Sequence, residues 1–170
     1  MATVFLGLGS NLGRREHHLR RALTALTERL EITATSPVYE TRPMYVAEQP
    51  RFLNMVARAE TEMAPRPLMA WLKRLEAALG RTPAVRFGPR AIDLDILFYD
   101  RVVIDTPGLK IPHPRLAERA FVLRPLVDLA PDWVHPVTGR RVEDMLAALG
   151  DCQGSSIKHR TLEWRPAPTD

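Results

Sequence analysis

At 170 residues, with 45% apolar and 26% charged side chains, the chain has the size and composition of one soluble globular domain with a core that needs no staples. The formal charge of +4 is too small to argue for nucleic acid, and the single cysteine, Cys152, excludes an internal disulfide and a cysteine-held zinc. No apolar run approaches a membrane span, and Met1-Ala2-Thr3 enters a strand-like stretch directly, so no signal peptide is expected and the expected location is the cytoplasm.

Thr3 to Leu8 predicts a buried strand, broken by Gly9-Ser10-Asn11-Leu12-Gly13, where Ser10 or Asn11 could cap a helix. That helix carries Leu19, Ala22, Leu23, Leu26 and Leu30 on one face. Glu31 to Thr41 is rich in β-branched residues and predicts a strand, with Pro37 marking an edge or a bulge. Arg42 to Arg51 predicts a loop, and Phe52 to Glu62 the next strand. Pro65 and Pro67 open a second helix, where proline is tolerated only in the first turn. Leu68, Trp71, Leu72, Leu75 and Leu79 form its apolar stripe, and Gly80 ends it. Arg81 to Arg90 is a basic loop, and Ile92 to Tyr99 the fourth strand. The order βαββαβ is the ferredoxin-like α+β pattern of a mainly antiparallel sheet with helices packed on it. C-terminal additions follow: a short strand around Val102 to Ile104, a loop through Pro112-His113-Pro114, and helices at Phe121 to Leu129 and Val142 to Leu149. Residues 1–150 are expected to form a single domain. Residues 151–170 read as a polar tail, poorly ordered or laid over the surface.

Asp93 and Asp95 are the sharpest chemical feature. Residues i and i+2 of a strand share a face, about 6.6 Å apart along the chain, so both carboxylates point one way while Ile92, Leu94 and Ile96 point the other. Two adjacent carboxylates repel unless a cation sits between them. Magnesium fits, because it takes one or two carboxylates and completes its shell with water and substrate phosphates. A bare D-x-D recurs by chance, but here Arg81, Arg86 and Arg90 lie just upstream. Arginines beside magnesium ligands suit polyphosphate transfer, in which negative charge spreads over the moving group.

The run Arg86-Phe87-Gly88-Pro89-Arg90-Ala91-Ile92-Asp93-Leu94-Asp95 resembles the signature of the 6-hydroxymethyl-7,8-dihydropterin pyrophosphokinase family. Gly9 to Gly13, Ser36 to Thr41, Gln49 to Asn54, Ile111 to Arg115 and Arg119 to Leu123 resemble further family segments, in order and spacing, across residues 3 to 135. The resemblance implies transfer of the terminal diphosphate of ATP to the hydroxymethyl group of a reduced pterin, with release of AMP, by a monomer with no nucleic-acid or membrane partner. It implies that Asp93 and Asp95 hold two magnesium ions, with Asp95 also the nearer candidate to help take the proton of the attacking hydroxyl. Arg81 and Arg90 would contact phosphates. His113, Arg119, Lys110 and Glu76 would lie in the nucleotide site. Phe52, Phe87 and Phe121 would pack the pterin, while Asn54 and the segment with Thr41, Arg42 and Met44 read its edge. Three positions depart from the pattern: the loop from Arg81 to Arg86 is shorter, Pro114 follows His113, and Phe87 stands where tryptophan is common.

Rival readings are weaker. The glycines from Gly7 to Gly13 lack the G-x-G-x-x-G spacing of a dinucleotide fold, and no G-x-x-x-x-G-K-[ST] loop is present. An RNA-binding sheet would carry an aromatic-rich strand that this chain lacks.

Overall fold

The computed structural model describes residues 1–41, 51–80, 91–150 and 157–168. Its first strand, β1 (Ala2–Ser10), runs two residues past the expected end, so Ser10 belongs to the sheet and caps nothing. The first helix, α1 (Arg15–Leu26), has Arg14 at its N-cap position with no side-chain cap, and buries Leu19, Ala22, Leu23 and Leu26 as their spacing requires.

The expected strand from Glu31 to Thr41 is divided at Ser36-Pro37 into β2 (Glu31–Thr35) and β3 (Val38–Thr41), which both pair with β4 (Phe52–Thr61). Proline has no amide hydrogen for the ladder. At this step the Ser36 amide donates to the Val56 carbonyl at 2.9 Å, and the Ser36 hydroxyl accepts the Val56 amide hydrogen at 2.9 Å. A side chain therefore bridges the break.

Helix α2 (Pro65–Ala78) begins with its prolines in the first turn, and Gly80 follows at φ +100°, a value glycine adopts without strain. Strand β5 (Asp93–Tyr99) is followed by a hairpin, β6 (Ile104–Thr106) and β7 (Leu109–Ile111), where the sequence predicts a single short strand. A 3-10 turn, Leu116–Glu118, leads into α3 (Ala120–Leu129), and α4 (Val142–Leu149) spans its expected range.

The main sheet runs β5-β1-β4-β3-β8, with β2 also on β4, and every pairing is antiparallel. Its last member, β8 (Ile157–Arg160), lies in the stretch expected to be a polar tail. Beyond it Leu162 is buried in the core, and the Trp164 indole N–H donates to the Thr24 hydroxyl on α1 at 3.1 Å. Within the stretch expected to be poorly ordered or laid over the surface, an edge strand and a buried leucine thus tie residues 157–164 to the fold.

Two apolar cores lie on opposite faces of the sheet. One unites Val4, Leu6, Leu8, Leu53, Met55, Leu94 and Ile96 with Leu19 and Leu23 of α1 and Leu68 and Leu72 of α2. The other joins Phe5, Val56, Leu97 and Phe98 with Leu123 and Leu126 of α3 and Val142 and Met145 of α4. Along β1, the side facing this second core carries Phe5, then Gly7 and Gly9, so its apolar cover stops partway along the strand.

Candidate active site

Register places the acidic pair at that uncovered end. Gly7 lies opposite Asp95 and Gly9 opposite Asp93 on one side of β1. On the other side, Gly7 lies opposite Val56 and Gly9 opposite Asn54. Because strand side chains alternate, Asp93, Asp95, Asn54 and Phe52 share one face, with a side-chain-free track of backbone between them. Asp93, Asp95, Asn54 and Phe52 are each half-buried, so this face is open to a ligand. The track is also narrow: a methyl group added at Gly9 would come within 2.9 Å of Asn54 Oδ1 and 3.7 Å of the Phe52 ring.

Strand β5 is the sheet edge, so the outward-facing amide and carbonyl of Leu94 have no strand partner. Helix α2 supplies one with side chains. Glu76 Oε1 accepts the Leu94 amide hydrogen at 2.7 Å, and the Lys73 ammonium donates to the Leu94 carbonyl at 3.0 Å. Lys73 also donates to Glu76 Oε1 at 3.0 Å and lies 3.5 Å from Asp95 Oδ1. Glu76 is only 1% exposed. The structure thus sets Glu76 beneath the acidic strand as a partner of the Leu94 backbone. Sequence reasoning misses Lys73 altogether, although Glu76, standing on the apolar stripe four residues after Leu72, signals a buried carboxylate in need of a cation.

Leu97 sits where the register of β5 shifts against β1, and its carbonyl accepts the His113 amide hydrogen at 3.1 Å. That bond carries His113 to the same end of the sheet. Its Nδ1 accepts the Arg115 amide hydrogen at 3.2 Å, which puts the proton of the neutral ring on Nε2. Burial holds the His113 pKa below the ordinary histidine value, opposed by the Asp95 carboxylate and reinforced by Arg119, Lys73 and Arg115. Arg119 precedes α3 and lays its guanidinium over the Phe121 ring, 5.5 Å from the centroid.

His113, Asp95, Lys73 and Arg119 therefore form one electrostatic cluster, with Asn54 and Phe52 across the glycine track. Lys110 is placed differently, on the β6–β7 hairpin with its ammonium 3.6 Å from Asp105. Thr41 pairs with Phe52 at the same end of the sheet. Arg42, Met44, Arg81, Phe87 and Arg90 lie outside the described residues.

Among the described residues no group of three or more His, Cys, Asp and Glu side chains converges on a metal position. A cation at Asp93 and Asp95 would have to draw oxygen from its substrate, which is how magnesium is usually held beside phosphates. The Lys73 ammonium, already at ion-pair distance from Asp95, shows that this position suits positive charge. The donor set fits. Such a site, open on one face, with charged groups on one side of the glycine track and an amide and an aromatic ring on the other, suits an enzyme that handles an anionic substrate.

A family model for 7,8-dihydro-6-hydroxymethylpterin-pyrophosphokinase (HPPK) matches residues 5–131. The 2-amino-4-hydroxy-6-hydroxymethyldihydropteridine pyrophosphokinase of Aquifex aeolicus is 44% identical over 137 residues, covering 81% of this chain and 86% of the relative. The folic acid synthesis protein fol1 of Pneumocystis carinii is 42% identical over 149 residues, and this chain spans 20% of that longer protein. The crystal structure of Plasmodium falciparum HPPK-DHPS shares the fold, with a TM-score of 0.74 at 17% identity over 86% of this chain and 44% of that one. The chain belongs to the 7,8-dihydro-6-hydroxymethylpterin-pyrophosphokinase family.

No helix among the described residues is long and apolar enough to cross a membrane.

Proposed function

We propose that this chain transfers the terminal diphosphate of ATP to 6-hydroxymethyl-7,8-dihydropterin in folate biosynthesis, acting as a monomer in the cytoplasm. The hydroxymethyl oxygen forms a bond to the β-phosphorus, the bridge between the α and β phosphates breaks, and AMP leaves while the hydroxyl proton is released. The observation that carries this reading is the placement of Asp93 and Asp95 on the same open sheet face as Asn54 and Phe52, in a chain of this family. The strand order, with β1 between β5 and β4, supports the ferredoxin-like arrangement expected from the sequence.

Two magnesium ions, held by Asp93 and Asp95, would neutralise phosphate charge and align the attacking and leaving oxygens. The protein's own part is positional. Asn54 reads the edge of the pterin with its amide, while Phe52 and Phe121 enclose its flat ring, helped by Phe87 and by the segment with Thr41, Arg42 and Met44. His113, as a neutral Nε2–H donor, and Arg119 bind nucleotide oxygens, with Lys110 further out. Arg81 and Arg90 meet the charge that develops on the transferring group.

The test is a product assay with magnesium ATP and 6-hydroxymethyl-7,8-dihydropterin. AMP formed only when the pterin is present is the expected result. ADP would indicate an ordinary kinase on the same centre, and no turnover with nucleotide binding intact would leave a binding protein without catalysis.

A further inference from the structure

Lys73 is tethered in a way that outlasts any change at Asp95. Two of its three oxygen partners are the Leu94 carbonyl and the Glu76 carboxylate, both at 3.0 Å, and neither faces the open site. The third is Asp95 Oδ1 at 3.5 Å. An ammonium group has three hydrogens for three converging oxygens. If Asp95 turns toward an incoming cation, Lys73 stays where Glu76 and Leu94 hold it. Lys73 and Asp95 are 43% and 39% exposed, so an ion can approach this carboxylate from water.

We infer that Lys73 makes cation binding at Asp93 and Asp95 conditional on the nucleotide. The inference rests on the reading above, in which the cation bridges these carboxylates to a polyphosphate. A divalent ion arriving alone must draw Asp95 away from an ammonium that stays in place, and must then remain beside that ammonium against like-charge repulsion. An ion arriving on a nucleotide brings several negative charges with it, and the same ammonium then attracts the complex. Lys73 is thus a positioning residue that disfavours the free ion and favours the ion–nucleotide pair. Coulomb's law for a divalent ion a few ångströms from a fixed unit charge in high dielectric gives an effect of about tenfold or more in affinity.

The experiment measures Mn2+ binding to the nucleotide-free protein by electron paramagnetic resonance of the free ion, for wild type, K73M and K73R. K73M is expected to bind Mn2+ alone about tenfold more tightly, and K73R to remain near wild type. With a non-hydrolysable ATP analogue present, the advantage of K73M should shrink or reverse. Because K73M leaves the buried Glu76 without this cation, K73M/E76Q serves as a second variant: glutamine can still accept the Leu94 amide hydrogen while both charges are gone. Mn2+ affinities in K73M and K73M/E76Q no tighter than in wild type would overturn the inference and leave the proposed reaction standing. If wild type bound no Mn2+ even with the analogue, the metal reading itself would fall, and the inference with it.

Discussion

Gly9 and Asn54 face each other across the β1–β4 ladder so closely that a single methyl group on Gly9 would meet Asn54 Oδ1 at 2.9 Å. The amide assigned to the pterin edge is therefore seated by the absence of a side chain on the neighbouring strand. Gly9→Ala should push the Asn54 carboxamide aside and raise the KM for the pterin by about tenfold or more, as expected when a group that must be held to a fraction of an ångström is displaced. The KM for ATP should change little. Gly7→Ala is the control, since its methyl would meet the flexible Leu97 side chain at 3.4 Å and should be tolerated. Steady-state kinetics with each substrate varied would check both, and equal effects from the two alanines would refute the assignment.

Glu76→Ala removes the acceptor of the buried Leu94 amide hydrogen and one anchor of Lys73. A buried donor left unsatisfied costs about 1–3 kcal/mol, which for a domain of this size lowers Tm by roughly 2–12 °C. Glu76→Gln keeps the acceptor and should recover most of that loss. Thermal unfolding followed by circular dichroism measures both. An unchanged Tm in Glu76→Ala would mean that the edge strand does not depend on this bond.

Asp95→Ala should leave the fold standing, because Asp95 is half-exposed and packs no core. Turnover should fall on the order of a thousand-fold, the scale set by losing a group that acts on transition-state charge. AMP release and Tm, measured together, separate the two effects. Near-normal turnover would remove Asp95 from the metal centre.

Tyr39 of β3 donates its hydroxyl to Asp128 Oδ2 of α3 at 2.5 Å. Burial first, and then this bond, push the phenol from 10.0 up to about 12. The sign follows from proton counting: between these values the unfolded chain loses its phenol proton while the folded chain keeps it. The stabilisation is therefore fully present below the unfolded value and is lost as pH rises toward the folded one. Tyr39→Phe should remove a late-titrating phenol from the ultraviolet titration and flatten the alkaline fall in Tm. A wild-type curve without that late phenol would contradict the bond.

The acidic pair is legible in the sequence because a strand's period of two is a local property: Asp93 and Asp95 share a face whatever lies next to them. The stripes of α1 and α2 are legible for the same reason. The glycine track is not, since the register that sets Gly9 between Asn54 and Asp93 joins residues far apart in the chain. Lys73 reads as a surface lysine on its helix, and only the edge position of β5 shows why it turns back toward Leu94. Ser36 and Pro37 hint at a break in the strand, but not that a serine hydroxyl bridges it. Leu162 and Trp164 sit singly among polar residues, so no periodicity announces their part in the core.

The side-chain cap on Leu94 also bears on strand addition at the edge of the sheet. A sheet edge is a template for strand addition by another molecule, and the β5 edge has to remain accessible at its acidic end. Leu94 offers a stray strand neither a vacant amide nor a vacant carbonyl, and the charged residues Asp93 and Asp95 flank it on either side. The same lysine and glutamate that hold the acidic strand thus fill the groups that a stray strand would use, so variants at Lys73 or Glu76 should self-associate more readily on concentration than variants at Asp95.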